Sequence, residues 1–138
     1  MDPGLPRDAL LDPLTAALRR GPAVRLAVLF GSAAVGNLRA SSDLDVAVLF
    51  RDEVSLAEEL DLQLALERAT QRAVDLVRLD DAATLVRWQV ALHGIPLIAD
   101  PHEWSRFRAR SASEYADFRP ALEDAAARFR RRLVEGAR

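Results

Sequence analysis

The chain has 138 residues, half of them hydrophobic, with no cysteine and a net charge of −2. This length and apolar content suit one domain with a single core, while the lack of cysteine excludes disulfides, thiolate catalysis and cysteine-based metal sites. All 19 basic residues are Arg, and the slightly negative balance gives no general electrostatic reason to expect nucleic-acid binding.

Hydrophobic periodicity predicts alternating helices and strands along the first hundred residues. Apolar positions three and four apart indicate helices, whereas short apolar runs bounded by Gly, Pro or Asp indicate buried strands. Ser55 with Glu58 three residues later is the capping-box pattern, and Gly94 is expected to end a helix. In chain order we predict a helix over 7–20 whose first turn is weakened by Pro13, a strand over 23–30, a short helix after Ser32, a strand over 44–50, a helix over 55–70, a strand over 73–79, a helix over 81–93 and an edge strand over 95–100.

Beyond Pro101 the pattern is helical only. An apolar stripe runs through Tyr115, Phe118, Leu122, Ala125, Phe129 and Leu133. We expect this stripe to pack onto the core rather than to form a docking face, and Pro120 to start the last helix or to kink it. The arginine-rich run over 128–133 is expected to be a solvated face.

Together these patterns predict an α/β (α+β) fold with a small mixed β-sheet, flanking helices and a helical C-terminal tail. We expect a single domain over 1–138, with an N-terminal helix in about 1–22, the sheet and its helices in 23–100, and the tail in 101–138.

Two aspartates stand one residue apart at the start of the second predicted strand. Side chains two apart on a strand point to the same face, so Asp43 and Asp45 project together while Leu44 and Val46 turn into the core. Two carboxylates this close destabilise the fold unless a positive charge lies between them. A hard divalent cation with oxygen ligands meets that need, and Mg²⁺ is the usual choice where phosphates complete its shell.

A glycine–serine pair supplies the complement to these acids. Gly31 and Ser32 lie where a strand gives way to a predicted helix, so their backbone N–H groups are suited to hold an anion. Asp75, in the middle of the third predicted strand, joins the acids if that strand pairs beside the second. Three carboxylates and a phosphate cradle make a two-metal arrangement for in-line attack on a nucleotide phosphate.

The motif Gly31-Ser32, Asp43-x-Asp45 and a later lone Asp75 resembles the signature of the nucleotidyltransferase superfamily. The small size and the "VDLV" context of Asp75 are most similar to the minimal nucleotidyltransferase (MNT) antitoxins of HEPN–MNT toxin–antitoxin modules. The resemblance extends from about Val24 to Phe118. It implies a nucleotidyltransferase fold.

The resemblance also implies a reaction. Family members that keep these carboxylates transfer AMP from ATP, with magnesium, to a tyrosine of a partner HEPN toxin, a small helical ribonuclease, and so silence it. Carried over, Asp43, Asp45 and Asp75 would be the catalytic and metal-binding residues, with two Mg²⁺ ions. The nucleotide would be bound by Gly31, Ser32, Arg39 and Ser42. Many relatives have a basic residue where this chain has Val35, and Arg39 is the candidate to replace its phosphate contact.

Other interpretations stay open. The aspartates could form a solvated strand entrance without metal. The protein could neutralise a partner by occlusive binding alone, or it could be a small-molecule nucleotidyltransferase similar to the aminoglycoside-modifying enzymes. These alternatives differ in whether the carboxylates and a protein acceptor are needed.

The remaining candidates have structural interpretations. We expect His93 and His102 to be surface or capping groups, and Trp88 and Trp104 to be core or interface anchors. No signal peptide or membrane-spanning run is evident, so we expect a cytoplasmic protein that neither enters a membrane nor binds nucleic acid directly.

Overall fold

The computed structural model of the chain describes residues 7–36 and 43–136. Within these residues the main elements are α1 (Arg7–Arg20), β1 (Val24–Phe30), β2 (Leu44–Phe50), α2 (Leu56–Thr70), β3 (Val74–Arg78), α3 (Thr84–His93), β4 (Ile95–Ala99) and α4 (Pro101–Gly136). A single 3₁₀ turn, Gly31–Ala33, follows β1 directly. The predicted α/β fold with a helical tail is confirmed.

The four strands form one mixed sheet in the order β3-β2-β1-β4. β1 is antiparallel to both β2 and β4, whereas β2 and β3 are parallel. β4 is an edge strand, as predicted, and Pro96 pairs there with Val28. An edge position tolerates proline because only one side of the strand must donate hydrogen bonds to a neighbour.

Helices cover both faces of the sheet. On one face α1 and α2 pack against a core that includes Leu29, Leu44, Val46 and Val48. On the other face, residues that alternate with these, such as Val28 and Ala47 in the two central strands, pack toward α3 and α4. Both faces of β1 and β2 are therefore buried, which explains why these strands are almost continuously apolar in sequence.

Side-chain contacts fix the start of α2 and join α3 to α4. The Ser55–Glu58 capping box is formed at the start of α2, as predicted. Trp88 of α3 stacks on Tyr115 of α4 with ring centroids 4.7 Å apart, and Arg87 forms an ion pair with Glu114. Trp88 is thus an interface anchor between the two helices, as predicted.

Three local predictions were wrong in detail. Pro13 lies in the interior of α1 rather than in its first turn. The short helix expected after Ser32 is one 3₁₀ turn that begins at Gly31. The tail is one helix of 36 residues that continues through Pro120, rather than two helices.

The predicted packing of the tail stripe was also wrong in its second half. Tyr115 packs on Trp88, but Phe129 and Leu133 are 61% and 59% exposed. The physical reason is length, because α3 has 10 residues and spans about 15 Å, whereas the 36 residues of α4 span about 54 Å. The far half of α4 therefore extends beyond the helix that covers its near half.

Across residues 7–36 and 43–136, no helix is both long enough and apolar enough to cross a membrane.

We predict that Gly94→Ala destabilises the fold by about 1–3 kcal/mol, the usual cost of overpacking a well-packed core. A Cβ at Gly94 would clash with the carbonyl oxygen of Val90 and with the side chain of Val28. The check is urea unfolding followed by circular dichroism. Gly136→Ala is the matched control, because a Cβ there meets no atom of the described residues within 4 Å, and its stability should change by less than about 0.5 kcal/mol. Equal stability of the two variants would contradict this account of Gly94.

Candidate active site

Asp45 lies at the centre of the candidate site. It is the second residue of β2, it pairs with Phe30 of β1 on one side, and it pairs with Asp75 of β3 on the other. Its neighbours Leu44 and Val46 are fully buried on the α1–α2 face. Because side chains alternate along a strand, Asp45 projects to the opposite face, where it is half-buried.

Gly31 makes room for the Asp45 carboxylate. Its φ is +75°, a left-handed conformation that L side chains rarely adopt. A Cβ on Gly31 would collide with Oδ2 of Asp45. The end of β1 therefore needs glycine for two independent reasons, its backbone conformation and the close approach of the carboxylate.

Asp75 is brought beside Asp45 by the register of the parallel pair β2–β3. Two hydrogen bonds hold the start of β3 in place: the backbone N–H of Leu44 donates to the carbonyl of Ala73, and the N–H of Val74 donates to the Glu67 carboxylate, both at 2.9 Å. Aligned residues of paired strands present their side chains on the same face, so the two carboxylates share one surface.

Asp43 precedes β2 by one residue and is exposed. The structure therefore brings together the three predicted acids: Asp43 and Asp45 at the entrance to β2, and Asp75 on the adjacent strand. Ser32 is exposed in the turn beside them. The other predicted nucleotide-binding residues, Arg39 and Ser42, lie outside the described residues.

Two hydrogen bonds hold the turn after β1, one within the turn and one from a residue far away in the sequence. The Ala34 N–H donates to the carbonyl of Gly31 at 3.1 Å, and the guanidinium of Arg7, at the start of α1, donates to the carbonyl of Ala34 at 3.0 Å. Arg7 is 27 residues away in sequence, so only the tertiary fold reveals that it braces this turn. Val35, in the same turn, is half exposed.

The sequence comparisons identify the family of the chain. Residues 13–103 match the family model "Polymerase beta, Nucleotidyltransferase". The chain is 33% identical over 94 residues to the protein adenylyltransferase MntA of Shewanella oneidensis, an alignment that covers 68% of each protein. The chain belongs to the polymerase beta nucleotidyltransferase family.

Solved structures support the same assignment. The fold is similar to a crystal structure of a toxin–antitoxin with AMP-PNP, with a TM-score of 0.73, 29% identity, and coverage of 84% of this chain and 98% of that one. It is also similar to a complex of a tri-AMPylated Shewanella oneidensis HEPN toxin with an MNT antitoxin, with a TM-score of 0.68, 26% identity, and coverage of 87% and 98%. The predicted nucleotidyltransferase fold and the resemblance to MNT antitoxins are confirmed.

The electrostatics of the candidate site centre on Asp45. Burial raises the pKa of the Asp45 carboxyl above its ordinary value, and the negative charges of Asp75 and then Asp43 raise it further. Among the described residues no Arg or His forms an ion pair with any of these three aspartates. The three aspartates are therefore a concentration of negative charge that takes part in none of the ion pairs among residues 7–36 and 43–136.

The donor set fits Mg²⁺ in its chemistry, because hard oxygen ligands and uncompensated negative charge are what this ion requires. Within the described ranges, however, no group of three or more His, Cys, Asp or Glu side chains already has the arrangement needed to hold a metal ion. Nucleotide phosphates commonly complete a magnesium shell that the protein supplies only in part. The structure thus gathers the acids at one place on the α3–α4 face of the sheet.

The two histidines lie on helices, whereas the acids lie on β2 and β3 or directly before β2. His93 is exposed in the last turn of α3, and His102 is exposed in the first turn of α4. Trp104 packs against the core cluster of the α3–α4 face and stacks on Phe107. The predictions for these residues as surface groups and as a core anchor are confirmed.

We predict that Asp45→Asn stabilises the empty protein at neutral pH. An acid whose pKa is higher in the folded than in the unfolded state destabilises the fold when ionised. This penalty shrinks as the pH falls through the folded pKa and is gone below the unfolded pKa. The gain in melting temperature should therefore be largest at pH 7–8 and should shrink toward pH 4. Asp52→Asn, an exposed carboxylate beyond the other end of β2, is the matched control and should show no such trend. A gain at Asp45 that does not depend on pH would contradict the prediction.

Proposed function

We propose that this chain is a protein adenylyltransferase that acts as an antitoxin. It transfers AMP from Mg-ATP to a tyrosine of a HEPN-type ribonuclease partner and thereby neutralises the partner. The observation that carries the proposal is the pairing of Asp45 with Asp75 across β2–β3, beside the left-handed Gly31. This arrangement supports the proposal because it brings the three candidate acids together, with Asp43 and Asp75 exposed and Asp45 half-buried.

Each side chain has a proposed role. Asp43 and Asp45 hold magnesium, which supplies charge neutralisation at the transferred phosphate when it is bound. Gly31 and Ser32 hold phosphate oxygens through backbone N–H groups and the serine hydroxyl. Arg39 and Ser42 are proposed as further nucleotide contacts on the strength of the sequence motif alone.

The bond changes follow from adenylyl transfer. The tyrosine oxygen forms a bond to the α-phosphorus of ATP, and the bond from that phosphorus to the bridging oxygen of pyrophosphate breaks. We propose that Asp75, opposite Asp45 on the edge strand β3, accepts the phenolic proton. Tyrosine AMP and pyrophosphate are the products.

The comparisons support this proposal through related proteins. The curated relative is a protein adenylyltransferase, and structurally similar chains include one in a toxin–antitoxin with AMP-PNP and one with a tri-AMPylated HEPN toxin. We further propose that residues 1–138 act as one minimal nucleotidyltransferase domain in the cytoplasm, where ATP is supplied.

Occlusive binding without chemistry is the second candidate function. The exposed leucines of α2, which are Leu56, Leu60 and Leu64, favour it, because exposed apolar side chains that lie together are typical of a protein-binding surface. When the carboxylates are changed, adenylyl transfer should be lost, whereas occlusive binding should persist.

Intact mass spectrometry of the purified pair tests the proposal. The protein is mixed with ATP, magnesium and the product of the adjacent gene, if that gene encodes a small helical protein of the HEPN type, and both chains are weighed. We predict a gain of one or more AMP units on the partner, reduced about a hundredfold or more in rate by Asp45→Asn, because the site loses a charge that acts in the transition state. Asp52→Asn is the control and should retain the activity. A stable, unmodified complex that still blocks the ribonuclease would replace adenylylation with occlusion.

We also predict that Mg-ATP stabilises the protein and that Gly31→Ala abolishes this effect. Ligand at a hundred times its dissociation constant adds about 2.7 kcal/mol of stability. Alanine at Gly31 displaces the Asp45 carboxylate and also forces a left-handed residue, which costs about 1–2 kcal/mol. Thermal shifts are measured for each protein against its own nucleotide-free state, with ATP plus chelator as the reference. An equal Mg-ATP shift in both proteins would show that Gly31 does not serve the nucleotide site.

A further inference from the structure

The far half of α4 is an exposed amphipathic helix. We call residues 116–136 the distal segment. Its large apolar side chains are Phe118, Leu122, Phe129, Leu133 and Val134, and all except the partly covered Leu122 are exposed, by 38% at Phe118 and about 60% at the others. Helices in proteins are stabilised mainly by the packing of an apolar face, and intrinsic helix propensity contributes little. The exposed apolar face of the distal segment is therefore expected to pack against another surface.

The apolar positions of the distal segment are self-complementary. Leu122 follows Phe118 by four residues, Ala125 follows by three and Phe129 by four, which is the spacing of a coiled-coil seam. If the helix is laid antiparallel on a copy of itself with Ala125 opposite Ala126, two further apolar pairs form automatically: Phe118 meets Leu133, and Leu122 meets Phe129.

The small residues lie where such a pairing needs them. The centre of the seam is the run Ala125, Ala126 and Ala127, and bulky side chains lie toward both ends. Alanine at the crossing point lets two helix backbones approach closely, while the larger side chains fill the wider space on either side.

The charges of the segment select the antiparallel orientation. Residues 116–125 carry three carboxylates and one guanidinium group, whereas residues 126–136 carry four guanidinium groups and one carboxylate. Two ion pairs form within the distal segment, Arg119–Glu123 and Arg128–Asp124, each at 2.8 Å. Within the described residues no ion pair engages the guanidinium groups at 130–132.

Antiparallel pairing uses these remaining charges. It brings Asp117 of one copy opposite Val134 of the other. Arg130 and Arg131 lie one helical turn before Val134, so the Asp117 carboxylate faces their guanidinium groups across the interface. Parallel pairing would instead place two arginine-rich ends side by side, where like charges repel.

We propose that the distal segment is a homodimerisation helix that pairs with a second copy of this chain, antiparallel and centred between Ala125 and Ala126. The interface is isologous, since each copy presents the same surface. This assignment goes beyond adenylyl transfer and does not depend on it, because the seam lies on the part of α4 that projects past α3.

Light scattering after size-exclusion chromatography of the full-length protein tests the dimer. The wild type is expected to have the mass of two chains, and Phe129→Glu is expected to have the mass of one, with unchanged helical content by circular dichroism. Leu64→Glu is the matched control, because Leu64 is an exposed leucine on α2, 47% accessible, within another stripe of exposed leucines. It should remain a dimer. A monomeric wild type at 100 μM, or a monomeric Leu64→Glu, overturns the proposal.

Cysteine cross-linking tests the register. The chain has no native cysteine, so Ala125→Cys introduces a single thiol next to the proposed two-fold axis and should give a disulfide-linked dimer on mild oxidation. Ala121→Cys is the control on the same helix, since its proposed counterpart is Arg130 and the two introduced thiols lie about 13 Å apart along the axis. It should stay monomeric on a non-reducing gel. Cross-linking of Ala121→Cys alone overturns the antiparallel register.

The two proposals fail in distinguishable ways. AMP transfer by the Phe129→Glu variant tests the proposed active site, and the mass of the protein in solution tests the proposed dimer. A monomer in isolation whose Phe129→Glu variant no longer binds the HEPN partner would assign the segment to that partner and overturn self-association, while leaving the chemistry of Asp45 intact.

Discussion

The site depends on the register of the two central strands around Asp45. Leu44 and Val46 are buried on the α1–α2 face, and this burial forces the intervening carboxylate to the other face. A slip of one residue in β2 would exchange the two faces and bury the charge. The hydrophobic core that stabilises the sheet is therefore also what directs Asp45 toward Gly31 and Asp75.

This arrangement opposes the stability of the empty protein. Burial and neighbouring negative charge both disfavour the ionised form of Asp45. Glycine in a left-handed conformation at position 31 adds the entropy that any glycine loses on folding. Such unfavourable features are retained in proteins where a ligand relieves them, and the proposed binding of Mg-ATP beside Asp45 would give this relief.

The two faces of the sheet differ in how completely they are covered. α1 and α2 close one face, with large side chains such as Leu14, Leu18 and Leu66 fully buried. The other face is covered by a ten-residue helix and by the near half of a much longer one. This inequality leaves the carboxylates accessible at one end of the sheet, and it leaves the far half of α4 without a partner inside the described residues.

Local patterns in the sequence were sufficient for most of the architecture. Strand periodicity located β1 and β2, and the Ser55–Glu58 pair located the start of α2, because both signals arise from contacts between residues close in the chain. The grouping of Gly31 with Asp43 and Asp45 was also visible, since its spacing is specific and the alternation of side chains requires no knowledge of distant contacts.

Only the tertiary structure decided the rest, because it depends on which distant elements meet. The parallel pairing that sets Asp75 opposite Asp45, the brace from Arg7 to the turn after β1, and the role of Glu67 at the start of β3 all join segments that the sequence does not relate. The fate of Phe129 and Leu133 is the clearest case. Helical periodicity predicts an apolar face, but whether that face is buried depends on the length of the helix packed against it. α3 has 10 residues and α4 has 36, so α3 covers only the near half of α4.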